Sequence, residues 1–325
     1  MKKLYRFMAV ALLCSLLLSS CAQTPIEPLQ AETEALPTET LESEKKTEAP
    51  AIMQKSDPAE DGVINVLMIG ASSCYYYVEE LYGIAKAAGV DMKVCNVYYS
   101  GCSLKQHWTW WKTGESNYEY FETDENGRIK YEKYNLVRCL QSENWDVISF
   151  QQAVRHTLGD LELAKSTYYP YLSDLLDYTM EQFPQSKFYW HQTWAYQVGY
   201  DRNGFAIDSV EKQTEMAGWY RDFALAACED FPLSRIPCGD AWQIARKDPR
   251  AGDVLCDRGD KSDNYHDGDE GGGQYLNACV WFETITGQSC IGNTWRPNGY
   301  DLSEEKITAL QLAAHQAVAE MKVAV

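Results

Sequence analysis

Two short segments far apart in the chain carry the residue types of nucleophilic catalysis. Gly70-Ala71-Ser72-Ser73-Cys74 lies between an apolar run at 63–69 and a helical pattern at 76–88. A serine at a strand-to-helix junction stands at the tip of a sharp turn. Backbone N–H groups at the start of the helix can there stabilise a developing oxyanion. Asp263-Asn264-Tyr265-His266 is the sole D-x-x-H of the 325-residue chain. Its spacing lets the carboxylate fold back onto the imidazole and fix its tautomer, while the other ring nitrogen serves a serine as general base. Each piece alone has a plain structural alternative: a serine N-cap for the first, a helix-entry Asp and a surface His for the second. Together they spell a Ser72, Asp263, His266 triad working through a covalent acyl-enzyme. A register slip of one would make Ser73 the nucleophile, and Cys74 is expected to turn inward with the helix.

These residues need elements to hold them. Apolar runs predict strands at 63–69, 92–98, 145–150, 187–191 and 235–237. Helical spacing predicts helices at 76–88, 168–182, 209–230, 240–246, 274–286 and 303–323. Strands alternating with helices call for an α/β fold, a parallel sheet covered on both faces. Ligands of such sheets bind outside the carboxyl ends of the strands. That rule selects the loops opening at Gly70, Ser100, Gln151, His191 and Cys238. Tyrosines alternate with charges at 118–132 around Asn126-Gly127, a hairpin signal. The hairpin is expected to project from the loop after the second strand, close to the site. His107, Trp108, Trp110 and Trp111, then His191, Trp194 and Tyr196, crowd the same loops. Aromatic faces beside polar groups suit sugar rings, so His107, Trp108, His191, Trp194 and Tyr196 are candidate substrate contacts. Core or lid packing is the alternative for each.

Five segments together give the chain a resemblance to SGNH/GDSL hydrolases. They are Gly70 to Cys74, Gly101-Cys102-Ser103-Leu104, Phe150-Gln151-Gln152, Trp190-His191-Gln192-Thr193-Trp194-Ala195-Tyr196 and Asp263 to His266. The branch most resembled is a poorly characterised set of bacterial extracellular proteins. The resemblance implies a three-layer α/β/α fold with a five-stranded parallel, flavodoxin-like sheet and an inserted hairpin. It implies Ser72 as nucleophile and first oxyanion donor, Gly101 N–H as second donor where a side chain would obstruct the backbone, and His266 as base oriented by Asp263. The family's third donor is an Asn side chain after the third strand; here Gln151 or Gln152 stands in its place. Ala71 departs from the Asp or Asn that usually precedes the nucleophile, and Cys74 from a Ser. The implied activity is hydrolysis of an O-acyl ester, foremost an O-acetyl group on a carbohydrate, without cofactor or metal. A carbohydrate-binding protein that has lost the chemistry, which Ala71 favours, and an acyltransferase using the same residues are the alternatives.

The chain's start reads as an address. Lys2, Lys3 and Arg6 precede a short apolar run that closes on Leu18-Ser19-Ser20-Cys21. The run falls short of the roughly 20 residues of a spanning helix, so 1–20 reads as a signal peptide. The closing tetrapeptide resembles a bacterial lipobox, implying acylation of Cys21 and an extracytoplasmic, lipid-anchored protein. Residues 21–60, rich in Pro and Glu, read as an extended tether, and 61–325 as one hydrolase domain. A net charge of −18 argues against nucleic acid or anionic lipid as partner. Beyond Cys14 and Cys21, nine cysteines form no C-x-x-C pair and are expected to be small core residues. The acidic run from Asp257 to Glu270 fails the EF-hand pattern, with Tyr265 and Gln274 at ligand positions.

Overall fold

An unbroken apolar run is what a strand covered on both faces requires, and Val66 to Ile69 are fully enclosed in the computed structural model. Enclosing each such side chain stabilises the fold by up to about 1.5–3 kcal/mol. The structure describes residues 62–153, 157, 159–202, 205–252, 272–297 and 302–323. In chain order the elements are β1 (Ile64–Gly70), α1 (Val78–Ala87), β2 (Met92–Tyr98), α2 (Leu104–Thr113), β3 (Tyr118–Asp124), β4 (Gly127–Tyr134), α3 (Leu136–Leu140) and β5 (Val147–Phe150). There follow α4 (Leu161–Gln182), β6 (Lys187–His191), the two-residue strands β7 (Asp201–Arg202) and β8 (Phe205–Ala206), and α5 (Val210–Asp230). Strand β9 (Ser234–Ile236) and helices α6 (Cys238–Ala245), α7 (Gly273–Thr286) and α8 (Glu304–Val323) complete them.

The sheet has seven strands in the order β4-β3-β2-β1-β5-β6-β9, not the five expected. Strands β2, β1, β5, β6 and β9 are parallel. The two further strands are the hairpin, which does not project. Strand β3 pairs antiparallel along β2, and β4 along β3. Burial explains the outcome: Tyr118 and Tyr120 are enclosed on one face of β3 and Phe121 is buried on the other, and a hairpin with apolar side chains to cover is unstable until it joins a sheet.

Helices cover both faces. Helix α1 packs on α7, and α7 on α6 and α8; on the other side α2 packs on α3 and α4, and α4 on α5. Right-handed crossovers dictate this division, because β1-α1-β2 runs toward one edge of the sheet and β5-α4-β6 toward the other. The chain therefore leaves the neighbouring strands β1 and β5 toward opposite faces. The crevice between their carboxyl ends is the topological switch point at which such sheets bind ligands. Register makes the ends level, with Gly70 opposite Tyr98 and Ile69 opposite Phe150. All eight described cysteines are free thiols, seven of them buried.

Candidate active site

The turn carrying Ser72 sits in that crevice. Ala71 continues the extended backbone, and Ser72–Cys74 form one 3-10 turn, closed by Cys74 N–H to the Ala71 carbonyl at 3.2 Å and Tyr75 N–H to the Ser72 carbonyl at 3.0 Å. Ser72 and Ser73 are both buried, at 8% and 3% exposure. Three contacts fix the turn. The Ala71 N–H donates to Gln151 Oε1 at 3.0 Å, the Cys74 thiol to the Ala71 carbonyl at 3.1 Å, and Asn96 Nδ2 to the Cys74 carbonyl at 2.5 Å. A backbone N–H can only donate, so the Gln151 atom facing Ala71 is its carbonyl oxygen. Gly70 makes room for it: a Cβ there would lie 2.8 Å from Gln151 Oε1 and 3.0 Å from Cys74 Sγ. Burial pushes the Cys74 thiol up to about 12, so it stays protonated and unreactive.

The facing loop follows β2. Gly101 is exposed and has φ +69°, and a Cβ there would meet no atom within 4 Å. The left-handed backbone favours glycine at this position. Among the described residues the Gly101 N–H meets no acceptor. Next comes α2, absent from the expected helices. Ser103 Oγ caps it by accepting Gln106 N–H at 3.2 Å. The Ser103-x-x-Gln106 spacing of a capping box was the signal. The two glutamines after β5 diverge, as alternation along a strand demands. Gln151 turns to the Ser72 turn, whereas Gln152 Oε1 accepts Leu104 N–H at 2.8 Å and its Nε2 donates to the Ala153 carbonyl at 2.9 Å.

The aromatic and histidine side chains named as candidate substrate contacts pack against the protein's own residues. His107 is fully enclosed, stacked on Tyr118 and hydrogen-bonded to its hydroxyl through Nδ1 at 2.9 Å. Burial pulls its pKa down to about 4, with the Gly70 carbonyl opposing. The helical course of α2 turns His107 and Trp110 inward and sends Trp108 toward α4, where its Nε1 donates to Asp174 at 2.7 Å. His191 is enclosed between Tyr77, Trp194 and Trp281, with Nδ1 3.4 Å from the Tyr77 hydroxyl. Burial lowers its pKa to about 3. Trp194 stacks on Trp242 at 4.8 Å, and Tyr196 on Tyr200 at 4.0 Å; both are buried. Four of the five are buried, and Trp108 is half-buried. Asp263, His266 and Cys21 lie outside the described residues.

Two residues absent from the sequence-derived list shape the site. Asn96 is fully enclosed within β2; a polar residue in the otherwise apolar run Val94-Cys95-Asn96-Val97 was its signal. Arg128 of β4 crosses to the Ser72 turn, donating through Nη2 to the Tyr75 carbonyl at 3.1 Å. Its guanidinium lies 4.0 Å from the Tyr75 ring centre and 4.6 Å from that of Phe121. No sequence pattern announces a contact between residues 53 positions apart.

Comparison with known proteins places the chain. A crystal structure of a DUF4886 family protein from Bacteroides uniformis has 28% identity and a TM-score of 0.69, over 79% of this chain and 95% of that one. A GDSL-like lipase from Parabacteroides merdae follows at 19% identity and TM-score 0.44, over 69% and 95% of the two chains. A family 3 carbohydrate esterase from Clostridium thermocellum has 13% identity and TM-score 0.41, over 68% and 94%. No curated protein matches the sequence. The family profile described as a domain of unknown function, DUF4886, matches residues 65–317. With so much of the domain matched, the chain belongs to the DUF4886 family.

Proposed function

We propose that the chain is a serine esterase that cleaves an O-acyl group, foremost O-acetyl, from a carbohydrate. Ser72 Oγ attacks the ester carbonyl as His266 takes its proton, with Asp263 stabilising the imidazolium. The tetrahedral oxyanion rests on the N–H groups of Ser72 and Gly101 and on the Gln151 side-chain amide. Its collapse breaks the bond to the sugar oxygen, which receives the proton from His266 and departs. Water, deprotonated by His266, then attacks the acyl-Ser72 ester and releases the carboxylic acid and free Ser72. Acylated Cys21 and the 21–60 tether would hold the domain at the extracytoplasmic face of a bacterial membrane.

The observation that carries this reading is the Ala71 N–H bond to Gln151 Oε1 at the switch point. It braces the turn through a backbone group, without need of a polar side chain at Ala71. It also commits the carbonyl half of the Gln151 amide to the protein and leaves the NH₂ half for the oxyanion. Gln152 supports the choice, since its amide is occupied at Leu104 and Ala153.

Treating the full chain with a fluorophosphonate probe and mapping the adduct by peptide mass spectrometry tests the proposal. The adduct is expected on Ser72 and lost in His266→Ala. Turnover of p-nitrophenyl acetate should fall by about four orders of magnitude or more in Ser72→Ala. A folded parent protein that takes no label and turns over no ester would overturn the reading. An adduct on Ser73 would move the nucleophile by one residue.

A further inference from the structure

We infer that Tyr99, where β2 leaves the sheet, offers the face on which the alcohol half of the substrate, a sugar ring, stacks. The inference takes its cleaved bond from the esterase proposal, but the binding surface is argued independently of it. The sequence holds 22 Tyr, 10 Trp and 9 Phe. Of those whose exposure is described, all are buried or half-buried except Tyr99, which is 40% exposed. A fold that encloses its aromatic rings so consistently leaves one open just past the carboxyl end of β2, two residues before Gly101. Its ring stands at 82° to that of Trp110, 4.8 Å away between centres, which fixes its orientation.

Tyr98, half-buried, turns to the opposite face of the sheet and stacks on Tyr75 at 4.4 Å and 27°. The hairpin stiffens this pair from behind. Phe121 of β3 meets both rings edge-on, and Arg128 of β4, its side chain 16% exposed, holds the Tyr75 ring and carbonyl. The exit from β2 is thus held from one side by these contacts and from the other by Trp110 against Tyr99, so little further freedom is lost when a ligand settles on the Tyr99 ring. Ser100, exposed between Tyr99 and Gly101, adds a hydroxyl that can both donate and accept. Aromatic faces edged with hydroxyls match a pyranose, whose C–H face is apolar and whose rim is polar. A long acyl chain would call for a continuous aliphatic lining. The exposed large aliphatic residues among those described are instead spread over β4, α4, α5, α8 and the segment before α8.

Binding without turnover tests the surface apart from the chemistry. The full chain carrying Ser72→Ala is titrated calorimetrically with an O-acetylated gluco-oligosaccharide and, separately, with hexyl acetate. The sugar is expected to bind the tighter of the two. Adding Tyr99→Ala should weaken sugar binding by about fivefold or more, whereas Tyr99→Phe stays within about twofold, because the ring face and not the hydroxyl makes the contact. Thermal melts confirm that each variant is folded. Equal affinity in Tyr99→Ala, a loss in Tyr99→Phe as large as in the alanine variant, tighter hexyl acetate binding, or no sugar binding at all would overturn the inference. Fluorophosphonate labelling of the parent reports separately: sugar binding that depends on Tyr99 in a chain that never labels would sink the esterase and keep the platform.

Discussion

At the scale of single residues the Gln151 amide is the part whose geometry is most constrained. Its carbonyl is tied to Ala71 and its stem fits only because Gly70 has no side chain. Gln151→Glu separates the two halves of the amide, because a carboxylate still accepts from Ala71 N–H but sets negative charge where the proposed oxyanion would develop. Measured at pH 8, where the new carboxylate is ionised, kcat for p-nitrophenyl acetate should drop by about 10²–10³, the cost of losing one oxyanion donor, with KM little changed. A variant that keeps the parent kcat would take Gln151 out of the proposed chemistry. Which glutamine faces the turn could not be read from Phe150-Gln151-Gln152, because alternation says that two neighbours diverge but not which way each goes. His107 and His191 show the same limit. Residue type marks a histidine as able to do chemistry, and only its surroundings reveal that packing has enclosed it.

At the scale of elements the β3–β4 hairpin is the part that ties sheet edge to site. Arg128 reaches the Tyr75 carbonyl and packs against two rings. Arg128→Met should therefore lower thermal stability by about 1–3 kcal/mol and slow fluorophosphonate labelling of Ser72 as the turn loosens. Arg128→Lys should fail to restore either, since an ammonium has no planar face to lie on a ring. Full recovery with lysine would mean that charge alone matters there. The strands were legible in the sequence because a buried strand announces itself as an unbroken apolar run; β2 and β6 fall on the expected residues. Helix α2 was not, because its Trp- and His-rich face has the composition of a binding loop and hid the helical spacing. The hairpin was legible as a hairpin through Asn126-Gly127, but its pairing with β2 depends on partners 21–29 residues earlier that no local pattern names.

At the scale of the whole molecule, the two enclosed histidines link the packing around the site to the stability of the entire fold. His107 lies between α2 and β3, and His191 between β6 and α7. Neither can take a proton without bringing a charge into a closed interior, so their pKa values fall from the ordinary 6.5 to about 4 and about 3. In the unfolded chain both protonate near pH 6.5. Between that pH and about 4 the unfolded state therefore binds more protons than the folded one, and stability falls as pH falls. The contribution is complete above pH 6.5 and is lost as pH drops toward the folded values. Each histidine adds a slope of up to about 1.4 kcal/mol per pH unit. The chain's net charge of −18 works in the opposite direction, because protonating carboxylates below about pH 5 relieves self-repulsion. The comparison that isolates the histidines is thus the parent against His107→Gln with His191→Gln, melted between pH 7 and 4.5. The double variant should start less stable at pH 7, from lost packing, and lose less than the parent on acidification. Parallel curves would show that the two rings titrate alike in folded and unfolded chains and that the interior around the site admits water.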